Sequence, residues 1–125
     1  MPAKPSANQN SMSYLLFFGA YTLLSVTGLA ILKHFLPQMS LSPRLPIRLV
    51  AWLTLGASLY AASFATWLLI LRTFPLATAY PISVGLTICG TTIVALLLLG
   101  ETLRPVQFFG IASILMGIIL VTRKA

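Results

Sequence analysis

Acidic residues are all but missing. Asp and Glu together number one, Glu101, against eight Lys and Arg and one His. The long apolar stretches contain no acid at all, which excludes a carboxylate buried within them to carry a proton across a bilayer. Charge of either sign is scarce: 7% of residues are charged, where a soluble domain carries roughly 25%. Such a chain cannot cover a surface facing water. Cysteine is single, so no disulfide can form within the chain, and Cys89 needs no role beyond that of a small apolar packing residue. Nothing resembles a catalytic constellation, so no enzyme activity, cofactor or metal site is expected.

What is present is hydrophobicity, at 58% of residues and a mean hydropathy of +0.98. A bilayer-crossing helix needs about 20 mostly apolar residues. Four stretches satisfy this, at about 14–35, 48–71, 76–99 and 105–122. The expected fold is therefore an all-α membrane protein. Residues 14–125 form one four-helix transmembrane domain, preceded by a disordered polar tail, 1–13. The first stretch is longer than the apolar region of a typical signal peptide. It follows only Lys4 and is not trailed by a small-residue cleavage site, so it reads as a retained helix.

The net charge of +7 does not imply nucleic acid, because the basic residues are scattered over helix ends and form no patch. They read as anchors to anionic headgroups. Lys4, Arg72, Arg123 and Lys124 fall on one side of the membrane. Lys33, Arg44, Arg48 and Arg104 fall on the other, four against four. Positive charge thus specifies orientation poorly. Either the chain inserts both ways or a partner subunit orients it.

Residues spaced by three and four share a helix face. Tyr14, Phe18, Tyr21, Ser25 and Gly28 form one such stripe. Gly56, Tyr60, Ser63 and Trp67 form a second, and Tyr80, Ser83, Thr87 and Gly90 or Thr91 a third. Gly110, Ser113 and Gly117 form the last. Polar and small residues in membranes face protein or a cavity. The last stripe suits close helix packing. In the first three, bulky rings stand beside small residues, so helix packing and a ligand groove both remain open.

The loops imply a compact bundle. Leu36–Pro46 has three prolines, and the link around Arg72–Pro75 is short enough to force antiparallel neighbours. Pro81 is expected in the first turn of the third helix. Gly100 is expected as a C-cap, Pro105 at the first position of the fourth helix, and Glu101 as a partner for Arg104. His34, beside Lys33, reads as an interfacial histidine.

The chain resembles a known family at several points. Ser25-Val26-Thr27-Gly28 lies in a first helix that ends at Lys33. Pro75-Leu76-Ala77-Thr78-Ala79-Tyr80 opens the third helix, and Gly100-Glu101-Thr102-Leu103 precedes a Gly-containing last helix. In this order and spacing they look like the small multidrug resistance family, part of the drug/metabolite transporter group, over residues 14–122. The drug exporters of that family carry a glutamate three residues before the first helix's glycine and eight before its lysine. Both spacings land here on Ser25, which cannot titrate near neutral pH or neutralise a cation. A second branch lacks the glutamate: the paired subunits that flip 4-amino-4-deoxy-L-arabinose-phosphoundecaprenol across the bacterial inner membrane. Leu24–Gly28, Lys33 and Ala79-Tyr80-Pro81 look like the E subunit of that flippase.

The resemblance implies translocation of a polyprenyl-phosphate-linked sugar for lipid A modification. Tyr21, Ser25, Tyr60, Ser63, Trp67, Tyr80 and Ser83 would line the pathway. Lys33, and more weakly Arg72, would meet the phosphate. One four-helix chain is small for this task, so a homodimer or heterodimer is expected, joined through Gly110, Ser113 and Gly117. Two other readings stay open. One is a proton-coupled exporter of cationic compounds, against which the missing carboxylate weighs. The other is a non-transporting membrane subunit.

Overall fold

A computed structural model of the protein describes residues 7–41 and 43–123. Four helices follow one another: α1 (Ala7–Phe35), α2 (Ile47–Thr73), α3 (Leu76–Leu97) and α4 (Pro105–Thr122), with a short 3₁₀ helix at Leu36–Leu41 after α1. Each of the four is long and apolar enough to cross a membrane, and no strand forms among the described residues. Antiparallel succession puts the start of α1, the α2–α3 link and the end of α4 at one face. The α1–α2 and α3–α4 loops lie at the other.

The expected polar tail is helical from Ala7 onward; Met1–Ser6 lie outside the described residues, as do Lys4 and Lys124 of the charge count. A helix nucleated in the span propagates at low cost through the polar residues before it. Cys89 is exposed on the outer surface of α3 and is not packed inside.

The link between α2 and α3 is two residues, Phe74 and Pro75. Phe74 is extended (φ −120°, ψ 148°), as the steric demand of the following proline requires. Its ring lies 4.1 Å from that of Tyr14 and 5.5 Å from that of Phe18, centroid to centroid. With buried Ile70 and Ala79 these rings tie three helices together at this end. Pro81 stands in the second turn of α3, beyond its expected place. It therefore removes one ladder hydrogen bond, that to the Ala77 carbonyl.

α1 and α2 share the most extensive contact. The buried residues of α2 are Leu49, Gly56, Ser63 and Ile70, one every seventh position. That spacing is the signature of a left-handed, coiled-coil-like seam. Phe18, Ser25 and Gly28 are buried on the α1 side. The backbones nearly touch at the two glycines. A Cβ on Gly28 would lie 2.8 Å from both the Gly56 carbonyl oxygen and the Tyr60 nitrogen. α3 packs on α1, with Gly90 against Val26. α4 contacts α3 alone among the described helices and buries none of its own residues.

At the other face, Gly100 adopts a left-handed φ of +65°, and the chain turns back so that the Glu101 N–H donates to the Ala95 carbonyl at 2.9 Å. α4 then starts at Pro105, and the Gln107 side-chain oxygen accepts the Arg104 N–H at 2.9 Å. The turn also redirects the Glu101 side chain. It does not pair with Arg104 as expected but reaches Lys33 at the end of α1, 3.9 Å away.

Candidate functional site

Two cavities follow one face of α3. The first, of about 260 Å³, lies where α1, α2 and α3 converge and is lined by Tyr21, Trp67, Tyr80, Ser83, Thr87 and Thr91 with Val84 and Ile88. Four of the expected pathway residues therefore meet there: Tyr21, Trp67, Tyr80 and Ser83. Three rings form one wall. Tyr21 and Trp67 are 5.6 Å apart and Trp67 and Tyr80 6.1 Å apart, centroid to centroid. Rings at such spacing present π faces that can hold a cation or the apolar face of a sugar.

A ladder of hydroxyls runs on from Tyr80 along α3, and a side-chain hydrogen bond joins its Thr87 to Tyr21. The Ser83 hydroxyl donates to the Tyr80 carbonyl at 3.0 Å, Thr87 to the Ser83 carbonyl at 2.7 Å, and Thr91 to the Thr87 carbonyl at 2.7 Å. Each hydroxyl spends its only proton on its own helix and keeps acceptor lone pairs. The ladder therefore offers acceptors without formal charge, which suits a ligand rich in O–H or N–H donors. Thr87 and Thr91 belong to the stripe on the third helix but stand outside the expected pathway set; the successive steps of four from Ser83 to Thr87 to Thr91 are the signal for them.

Ser25 and Ser63 lie elsewhere. Both are buried in the α1–α2 seam, where their hydroxyls donate to the Thr22 and Tyr60 carbonyls at 3.2 and 2.6 Å. Neither borders the cavity. Tyr60 is exposed on α2 and likewise stands outside it. The stripe on α2 thus divides. Gly56 and Ser63 serve the seam, and of the two rings only Trp67 reaches the cavity.

The second cavity is larger, about 440 Å³, and sits between the C-terminal halves of α1 and α3. Val26, Leu29, Leu32, Leu36, Val94 and Leu99 make most of its wall, and Thr91 joins it to the first cavity. Lys33 and Glu101 are the charged residues on its lining. Their side chains are 64% and 47% exposed, and at 3.9 Å the pair is beyond hydrogen-bond length. An exposed pair of this kind contributes about 0–1 kcal/mol. Arg72 lies exposed in the last turn of α2, at the opposite face of the membrane from Lys33.

A third cavity, of about 350 Å³, separates α3 from α4 and is lined by apolar residues with Tyr80, Pro81 and Gly117. Gly110, Ser113 and Gly117 are exposed, and a Cβ added to either glycine would meet nothing within 4 Å. No group of three or more His, Cys, Asp or Glu that could hold a metal occurs among the described residues.

The family model described as Small Multidrug Resistance protein matches residues 12–114. The chain is 33% identical over 104 residues to a protein of Salmonella enteritidis PT4 named as the probable 4-amino-4-deoxy-L-arabinose-phosphoundecaprenol flippase subunit ArnE, covering 83% of this chain and 92% of that one. It is 33% identical over 90 residues to the protein of the same name from Serratia proteamaculans, covering 68% of this chain and 77% of that one. No solved structure matches it significantly.

Proposed function

The chain belongs to the small multidrug resistance family of multi-pass transporters of the bacterial inner membrane, and from that premise we propose that it is a flippase subunit for a polyprenyl-phosphate-linked aminosugar. The observation that carries this reading is the first cavity. Its acceptor ladder lies on α3 beside the rings of Tyr21, Trp67 and Tyr80, and Thr91 joins it to the second cavity, on whose lining Lys33 of α1 stands. An aminosugar brings several O–H donors and an ammonium group. The ladder accepts from the former, and the rings hold the latter by cation–π attraction, worth about 0.5–2 kcal/mol. The bulk of the polyprenyl tail stays in lipid. Lys33 at one membrane face and Arg72 at the other give the phosphate a cation at either end of its passage.

No carboxylate lies in a span, so none can carry a proton through the membrane. This sets the reading apart from proton-coupled export of cationic compounds. The three rings would also suit a cation, but such an exporter needs an ionisable residue inside the membrane. The partner is a second small membrane subunit or a second copy of this chain. α4 would make that contact, since Gly110, Ser113 and Gly117 stand exposed.

Lipid extraction from the purified protein followed by mass spectrometry tests the reading. A co-purifying polyprenyl-phosphate aminosugar is the expected result, and only bulk phospholipid would contradict it. Tyr80→Leu provides a second check. Tyr80 is 59% exposed, so the fold keeps its core, while loss of one ring lowers transport about fivefold. Unchanged activity of the complex would instead favour a non-transporting subunit.

A further inference from the structure

The second cavity combines features that the first does not share. Its wall is almost wholly apolar, and its volume of about 440 Å³ lies within the range of ligand sites. Leu29 and Leu36 on its border are 43% and 50% exposed, so it opens outward to the surrounding lipid. The charged residues of its lining sit at one end, close to the loops. Glu101, the sole acid of the chain, is there beside Lys33 without a hydrogen bond between them. An apolar slot with one cation at its end fits a ligand built the same way: a long hydrocarbon ending in a phosphate.

We propose that this cavity is the loading site for a polyprenyl phosphate and that Glu101 is a displaceable placeholder on Lys33. The isoprene units nearest the phosphate enter between α1 and α3. The phosphate takes the place of the Glu101 carboxylate beside the ammonium group. The exchange replaces one anion beside the ammonium group by another and frees the carboxylate to water. Glu101 gives way at little cost because the pair is exposed and long. The phosphate gains because it can accept charge-assisted hydrogen bonds from the ammonium that the carboxylate does not make at 3.9 Å. From this site the sugar reaches the hydroxyl ladder through Thr91, which borders both cavities. The proposal rests on the flippase reading for the identity of the lipid, and adds where it docks and what it displaces.

Native mass spectrometry of the full chain in detergent, titrated with undecaprenyl phosphate, tests it. Undecaprenol and inorganic phosphate are the comparison ligands, each lacking one half of the proposed ligand. Undecaprenyl phosphate should bind well above either. Glu101→Gln removes the competitor and should tighten binding about two- to fivefold, the range an exposed ion pair allows. Lys33→Gln should weaken binding about tenfold or more. Lys33→Arg should retain it, which separates loss of charge from loss of fold. Glu101→Gln binding no better than the parent chain would overturn the placeholder role. Equal binding of undecaprenol would overturn the phosphate contact. A changed ratio of monomer to dimer with unaltered lipid binding would overturn the site and assign the face to a second copy. These failures leave the flippase reading standing if the lipid-linked sugar still co-purifies; absence of that lipid, with undecaprenyl phosphate still bound as described, would sink the reading and spare the site.

Discussion

Gly28→Leu leaves little folded protein in the membrane. The Gly28 position has no room for even one carbon, since a Cβ there meets the Gly56 oxygen and the Tyr60 nitrogen at 2.8 Å. Both are backbone atoms of α2 and cannot rotate aside. Leucine adds three further carbons beyond the Cβ. α1 and α2 must then separate along the most extensive interface of the fold. Overpacking by a methylene or so costs about 1–3 kcal/mol, and a leucine against backbone lies at or beyond the upper end. Small residues at helix contacts in membranes serve this close approach. Gly110→Leu and Gly117→Leu are the comparison, because nothing in the chain lies within 4 Å of their added Cβ atoms. They should leave the monomer folded and, if α4 joins two chains, abolish pairing. Folded yield by size-exclusion chromatography in detergent, with cross-linking in membranes, reads both effects. Normal yield of Gly28→Leu would refute the seam.

Ser25→Glu does not restore a proton-coupled exporter. The resemblance to that family puts the missing carboxylate at this position, which makes the substitution the obvious attempt at conversion. The geometry argues against it. Ser25 is 4% exposed, its hydroxyl is already bonded to the Thr22 carbonyl, and it does not border the cavity formed by Tyr21, Trp67 and Tyr80. A glutamate there must push into the α1–α2 seam and carry either a charge or an unpartnered acid into an apolar contact. A charged residue at the centre of a membrane helix costs about 2.5–3.5 kcal/mol on insertion scales. The variant should lose folded protein and give no dye efflux with proton flux in liposomes. Efflux of a cationic dye coupled to protons would show that Ser25 faces a ligand chamber after all.

These two positions also show how far the sequence could be read. The spans were legible because length and apolar composition are local properties. So was the start of α4, where Pro105 and Gln107 mark it by chemistry within one turn. The start of α1 was not, because propagation of a helix into polar residues depends on the nucleated span and not on those residues. The stripes on α1, α2 and α3 each include residues that are buried, whereas the stripe on α4 stands exposed. They could not say which helix each face meets, so Ser25 and Ser63 were grouped with Tyr21 and Trp67. The seven-residue spacing of Leu49, Gly56, Ser63 and Ile70 was the signal for a packed seam, and it stood in the sequence. The Lys33–Glu101 pair had no such signal. Their juxtaposition arises from antiparallel packing and from the left-handed turn at Gly100.

Movement of the lipid-linked sugar itself is the most direct test. The chain, reconstituted in liposomes with its co-expressed membrane partner, would be given a polyprenyl-phosphate aminosugar in one leaflet. A membrane-impermeant amine reagent would report its sidedness. The expected result is transfer of the amine to the other leaflet at a rate that Tyr80→Leu slows about fivefold. Amine confined to its original leaflet, in vesicles that export a cationic dye against a proton gradient, would contradict it.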